Sequence, residues 1–263
     1  MSRLEIAQTS SKAGIIHRFK MRTLRLFLLC TFILIALKPT QAASDFSCRV
    51  FDDTSGTPDT RFREEIGVEY SVETFLAASE LVLETFNQSN CGERGYSMVL
   101  AIVEGFAANG YPFTIATNNG SQFWVNEDYL QAYEGDVKAE FTGILYHESA
   151  HIWQWTGNDT ATIDLITGIA DYIRLKARWP SKYWLPRRSG SRWNDGYAMT
   201  AYFLEFCNKK RHGFVSDPNT MMENLYFDAF FVISLWMNCG RSISCHSMRL
   251  LSLHQHLHPS MAY

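Results

Sequence analysis

The segment Leu145–Trp155, LYHESAHIWQW, holds His147, Glu148 and His151 in the pattern H-E-x-x-H. On a helix the two histidines lie four residues apart on one face, where both imidazoles can grip a single ion. Glu148 stands one residue round, close enough to reach a water on that ion without being a ligand itself. The chemistry that fits is hydrolysis, most naturally of a peptide bond. Zinc brings the pKa of a bound water towards neutrality, and the carboxylate takes its proton. Phe141, Leu145, Ile152 and Trp155 form a neighbouring apolar stripe that can dock the helix. The bland alternative is a solvated charged face, because three fixed residues also match by chance. Trp153 and Trp155 do not decide between the two, since tryptophans are more often core.

A catalytic zinc needs a third protein ligand as well as its water. Metzincins place a His six residues after the second His, and that position here is Gly157. Gluzincins take a Glu from the following helix. That helix reads IDLITGIADYIRLKARW from Ile163, and it contains no Glu.

The elements that would position these residues read as α+β. Residues 44–60 are rich in Ser, Thr and Asp and read as a loop. Apolar spacing from Phe62 to Phe86 predicts a helix, with Asn87 to Gly95 as its punctuation. SMVLAIVEGFA and YPFTIATNNGSQFWVNEDYL predict strands broken at Gly110 and Asn118–Gly120. Helix returns from about Val137 to Trp155, stops at Gly157, resumes from Thr162 to Ala177, and appears again from Tyr197 to Asn208.

At 263 residues, 46% hydrophobic and 19% charged, the chain is an ordinary globular protein without repeats or low-complexity runs. Its N-terminus has a targeting layout: Arg22 and Arg25, an apolar run from Leu26 to Leu37, then the small residues Ala42 and Ala43. The apolar run is shorter than the roughly 20 residues of a membrane span, so a stable membrane anchor is not expected. Cleavage is expected near Ala42 or Ala43, with Met21 as a natural start and residues 1–20 as an extension. Residues 1–42 hold seven Lys/Arg and one acid, so the remainder has 17 basic and 26 acidic residues, a net charge of −9. Such a chain lacks the electrostatic footprint of a nucleic-acid binder. Outside the leader the cysteines are Cys48, Cys91, Cys207, Cys239 and Cys245, an odd number that leaves at least one unpaired. Sequons at Asn87, Asn119 and Asn158 offer N-glycan sites to a secreted chain.

The run YHESAHIWQWTGNDTATIDLITGIADYIRLKA resembles the signature of the plant basic secretory protein family, zincin-like metallopeptidases related to pathogenesis. RFREEIGVEY, YLQAYEGDVKAEFTGILYHE, RWNDGYAMTAYFLEFCN and GFV extend the likeness from about Arg61 to Val232. The resemblance implies a zincin-like fold, zinc on His147 and His151, Glu148 as general base, and an extracellular place in the plant apoplast or cell wall. The family's second helix reads L-I-E-G-I-A-D-Y, where the Glu would be the third ligand and the Asp a partner for a zinc His. Aligned here, the Asp is Asp171 and the Glu position is Thr167. Asp164, Thr167, Gly168 and Asp171 share one stripe of that helix, so Asp164, one turn earlier, is the candidate substitute ligand. Tyr197 is a candidate oxyanion donor, with a packed helix tyrosine as the plain alternative.

Two departures from the family stand out. The chain is acidic, and the family's C-terminal V-D-E-L-W-x-x-Y-K helix is missing. Reading the codons from the third base of the Trp236 codon forces Asp-Glu-Leu whatever synonyms are used, and Trp follows for one of the two Cys239 codons, so residues 233–263 read as an out-of-frame tail. His246, His254, His256 and His258 in that tail are therefore not expected to be zinc ligands, although a His-rich tract can bind metal incidentally. The expected organisation is 1–42 as extension and signal peptide, 61–232 as the family domain and 233–263 as the tail. Two functions stay open: a secreted zinc peptidase with weak metal binding, or an inactive relative with an apoplastic defence or interaction role.

Overall fold

The computed structural model describes residues 46–54, 60–88, 94–107, 110–111 and 113–224. The expected signal peptide and the expected tail both fall outside these residues. The chain runs β1 (Ser47–Asp53), a π-helical turn (Phe62–Ile66), α1 (Val68–Phe86), β2 (Met98–Glu104), β3 (Ala116–Asn119) and β4 (Gln122–Asn126). It continues with α2 (Glu127–Ala132), α3 (Val137–Trp153), α4 (Ile163–Lys176), α5 (Tyr197–Lys210) and α6 (Ser216–Asn224). This is an α+β fold around a small four-stranded mixed sheet. No helix among the described residues is long and apolar enough to cross a membrane.

The sheet order is β1-β2-β4-β3, with β1, β2 and β4 parallel and β3 antiparallel to β4. Alternation along β2 turns Val99, Ala101 and Val103 into the core, and β4 adds Phe123 and Val125 on the same side. Helices α1 and α3 cover that face with Phe75, Val82, Phe86, Phe141, Leu145, Ile152 and Trp153. Gly120, with φ +60°, opens the two-residue β3–β4 turn, a position that a side-chain-bearing residue would strain. That turn leaves β3 as the free edge of the sheet, beside α3.

Three elements differ from expectation. Residues 47–53 form a strand rather than a loop. Their polar composition suits an edge position, and β2 supplies the pairing that local sequence does not signal. The helix expected from Phe62 is interrupted at Gly67, whose φ of +82° lies outside helical space. Residues after Asn126 leave the strand because the Asn126 side chain accepts from Asp128 N at 2.9 Å and caps α2.

Helix α3 carries the H-E-x-x-H pattern and is the centre of the fold. Asp136 caps it, accepting from Ala139 N at 2.9 Å. None of its 17 residues is exposed, as expected of a helix enclosed by other elements. The enclosure is tight. A Cβ on Gly143 would come within 2.6 Å of the Arg174 guanidinium and of Trp179 O, so only glycine lets α4's arginine cross α3. Gly168 plays the same part between α4 and α5, where a Cβ would meet Thr200 Cβ at 2.5 Å.

At the start of α2, Glu127 is buried. Burial pushes its carboxyl up to about 7, with the Asp52 charge adding to the shift, the Phe62 N–H opposing it, Asp128 adding and Arg63 opposing. The folded chain holds this proton until about pH 7, whereas the unfolded chain releases it near 4.5. Folding therefore binds a proton between those values, and stability falls as pH rises through that window. Glu127→Gln removes the fall. Its unfolding free energy from urea titration is expected to match the parent at pH 4.5 and exceed it at pH 8, by up to ~3 kcal/mol. Equal pH dependence in the two proteins would show that Glu127 is not the group responsible.

Candidate functional site

The H-E-x-x-H residues do not form a solvated face. Glu148 is 4% exposed, and His147 and His151 are partly buried at the base of a cleft of about 860 Å³. The cleft is bounded by the 113–118 segment, α3, α4, the chain between α4 and α5, and the start of α5. His147 Nε2 and His151 Nε2 face each other at 3.0 Å. His147 Nδ1 lies 2.6 Å from Asp171 Oδ1, reached across the α3–α4 interface. The carboxylate holds the Nδ1 proton, so the Nε2 lone pair is the one turned towards His151.

Electrostatics follow from this geometry. Burial would lower the His147 imidazolium, but its hydrogen bond to Asp171 and that carboxylate's charge outweigh burial and raise it. Burial, with the neighbouring His147 charge added, holds His151 well below the usual histidine range. Glu148 is raised by burial, against the opposing His147 charge and a hydrogen bond from Asn118 Nδ2 at 3.3 Å. A buried carboxylate with one weak donor and a raised pKa is a better proton acceptor than a surface one. The contact is either an Nε2–H of neutral His151 donating to the His147 lone pair or two lone pairs turned to one metal ion. Their 3.0 Å separation is near the ~3.3 Å that two nitrogens take on a tetrahedral zinc with Zn–N bonds of about 2.0–2.1 Å.

The pair supplies two donors, and among the described residues no His, Cys, Asp or Glu completes a group of three. Thr167 lines the cleft with both histidines, but its hydroxyl donates to Ile163 O at 2.8 Å, back along its own helix. Asp164 is not among the lining residues, and its Oδ2 accepts from Asn194 Nδ2 at 3.3 Å. Tyr197 begins α5 at the cleft rim, 59% exposed. The structure thus brings His147, Glu148, His151, Thr167, Asp171 and Tyr197 to one cleft and turns Asp164 to another partner.

A family model described as a peptidase of plants and bacteria matches residues 43–243. The chain belongs to that family. The match spans both helices of the histidine site and is the family that the sequence motifs resemble. Neither a search of curated proteins nor one of solved structures returned a match.

Sequence reasoning missed three contributors to this site. Asn118 reaches Glu148 only because β3 is the sheet edge beside α3, and ATNNG carries no chemical signature of its own. Asp195 accepts from Ser191 N, Ser191 Oγ, Arg192 N and Arg192 Nε, which folds the loop leading into Tyr197. The hydrogen bonds of the Arg192 side chain and Arg192 N, joined by smaller ones from Ser191, outweigh burial and hold the Asp195 carboxyl down at about 2. Arg174 and Glu140 meet at 2.8 Å beneath the cleft and lock α4 to α3 one turn from Asp171. A pattern D-x-x-R following H-E-x-x-H was the available signal for this last pair.

Proposed function

We propose that the chain is a secreted, zincin-like metallopeptidase of this family, with zinc held weakly by His147 and His151. The observation that carries the reading is the facing pair of Nε2 atoms, with Asp171 fixing one ring and Glu148 buried beside them. Zinc bound there would polarise a water and a scissile carbonyl. Glu148 takes the proton from the attacking water and passes it to the leaving amine, while Asn118 holds its carboxylate towards the cleft. Asp171 keeps His147 in the tautomer that presents Nε2. Tyr197 is placed to donate to a developing oxyanion at the rim. Exposed Asn87, Asn119 and Asn158 suit N-glycans on an apoplastic protein with a role in plant defence.

A second reading, an inactive relative that keeps the fold for an extracellular interaction, is favoured by one observation. Thr167 and Asp164 both spend their side-chain oxygens elsewhere. Metal analysis of the purified mature protein separates the two. The peptidase reading expects about one zinc per chain at micromolar free zinc and slow hydrolysis of a denatured protein substrate. Glu148→Ala should keep the metal and reduce turnover at least ~100-fold. A chain that takes up no zinc at any accessible concentration is the inactive relative.

A further inference from the structure

The stretch KARWPSKYWLPRRSGSRW, from Lys176 at the end of α4 into the chain before α5, carries six Lys/Arg and no acid, with Asp195 two residues beyond it, in a chain of net charge −3. Two of its cations are used internally. Arg187 pairs with Glu205 at 2.7 Å, and Arg192 with Asp195 at 2.9 Å. Lys176, Arg178, Lys182 and Arg188 are exposed and have no carboxylate partner among the described residues. The segment is a fixed strap. Trp179 O accepts from Arg174 Nε at 2.7 Å, Leu185 O accepts from Tyr202 Oη at 3.4 Å, and Lys182 lies over the Tyr133 ring.

The backbone singles out Arg178 and Arg188. Five described residues other than glycine have positive φ: Asn87, Asn158, Asp159, Arg178 and Arg188. Asn and Asp enter this region readily, whereas arginine does so at a cost in stability. Arg178, at φ 68°, occupies the residue after the cap of α4, with Arg178 N on Leu175 O and Trp179 N on Arg174 O. That is the left-handed helix-ending position that glycine favours. Arg188, at φ 71°, is the third residue of the turn closed by Ser189 N on Pro186 O, again a place for Gly or Asn. Neither arginine contributes an ion pair to the fold, so the fold itself gives no reason for either. A strained residue without a structural reward points to use outside the fold.

Between the two arginines the strap lines the cleft through Ser181, Tyr183, Trp184 and Leu185, and Phe113, 96% exposed, stands on the cleft's other lining segment. We propose that the strap selects anionic peptides: an apolar side chain enters the cleft against Tyr183 and Leu185, and acidic residues on either side meet Arg178 and Arg188. This substrate class rests on the peptidase reading of the cleft. The strap's cations stand outside the cleft lining, in the same stretch of chain as Tyr183 and Leu185, and local positive charge on an otherwise acidic protein steers acidic segments to it.

The test uses the full mature chain carrying Glu148→Gln, so that nothing is cleaved, with and without Arg178→Gly and Arg188→Gly together. Fluorescence anisotropy reads three labelled probes: a decapeptide with a central leucine among glutamates, its glutamine counterpart, and an oligogalacturonate. The glutamate peptide is expected to bind at least about tenfold tighter than the glutamine peptide at about 0.02 M salt, with the gap closing at about 0.15 M. The double glycine variant is expected to lose that preference while its Tm is held or raised, a combination that a structural role for the arginines does not produce. Equal binding of the two peptides overturns the proposal. So does a lowered Tm with the preference intact, or oligogalacturonate binding without peptide binding. If the glutamate peptide binds through the arginines and the zinc-loaded parent does not cut it, the peptidase reading fails and the anionic-peptide surface stands.

Discussion

Glu140→Ala is expected to destabilise the fold by roughly 3–5 kcal/mol, the cost of stranding a buried charge. Arg174 Nη2 reaches Glu140 Oε2 at 2.8 Å with both side chains buried, and Arg174 Nε is spent on Trp179 O. Glu140 also accepts from Tyr129 Oη at 3.0 Å and Tyr133 Oη at 3.3 Å. Removing the carboxylate therefore leaves one buried cation and two buried hydroxyls without their acceptor. Relaxation is limited because the guanidinium packs against Gly143 and its Nε is tied to Trp179 O. Urea unfolding followed by circular dichroism reads the loss. Glu140→Gln should cost distinctly less, since it keeps acceptors for the tyrosines. The double variant Glu140→Met with Arg174→Met should recover part of the stability, because nothing charged is left in the interior although the two tyrosine hydroxyls still lack their acceptor. A double variant as unstable as Glu140→Ala would mean that the pair matters for its shape rather than its charge.

The contrast between this pair and the histidine site explains what the sequence made legible. His147, Glu148 and His151 lie within one turn and a half of one helix, so helical geometry alone placed them together. Asp171 was legible through the family resemblance, whose L-I-E-G-I-A-D-Y pattern puts its Asp at that position. Glu140 and Arg174 are also on these helices, but their meeting depends on glycine at 143, which reads in sequence only as a weak helix residue. Asn118 depends on strand order, and β1 on a partner some fifty residues away in the pairing Ser47 with Met98. Such facts belong to tertiary pairing, and local periodicity carries none of them. The break at Gly67 was nearer the surface of the sequence: a glycine inside a helical pattern is a warning that the apolar spacing overrode.

Thr167→Glu is expected to tighten zinc binding at least tenfold and to raise peptide hydrolysis. Thr167 already lines the cleft with His147 and His151, so a longer side chain there enters the space that the two Nε2 atoms share. The parent hydroxyl is turned to Ile163 O at 2.8 Å, and a neutral hydroxyl is a poor zinc ligand in any case. A carboxylate brings a negative charge and a Zn–O bond of about 2.0–2.2 Å. Loss of a partner that merely orients a ligand costs roughly 10–100-fold in affinity, and a direct ligand should count for at least that. The helix loses nothing by the change, since glutamate is at least as good a helix former as threonine. Zinc affinity is read by competition with a chromophoric chelator, independently of turnover. In the Thr167→Glu background, Glu148→Ala should hold the metal and abolish the gain in hydrolysis, which separates ligand from base. If the parent already holds one tight zinc and Thr167→Glu adds nothing, position 167 is not where the third ligand belongs. Asp164→Ala then decides the matter: breaking its contact with Asn194 costs little, so lost zinc binding would identify Asp164 as the ligand.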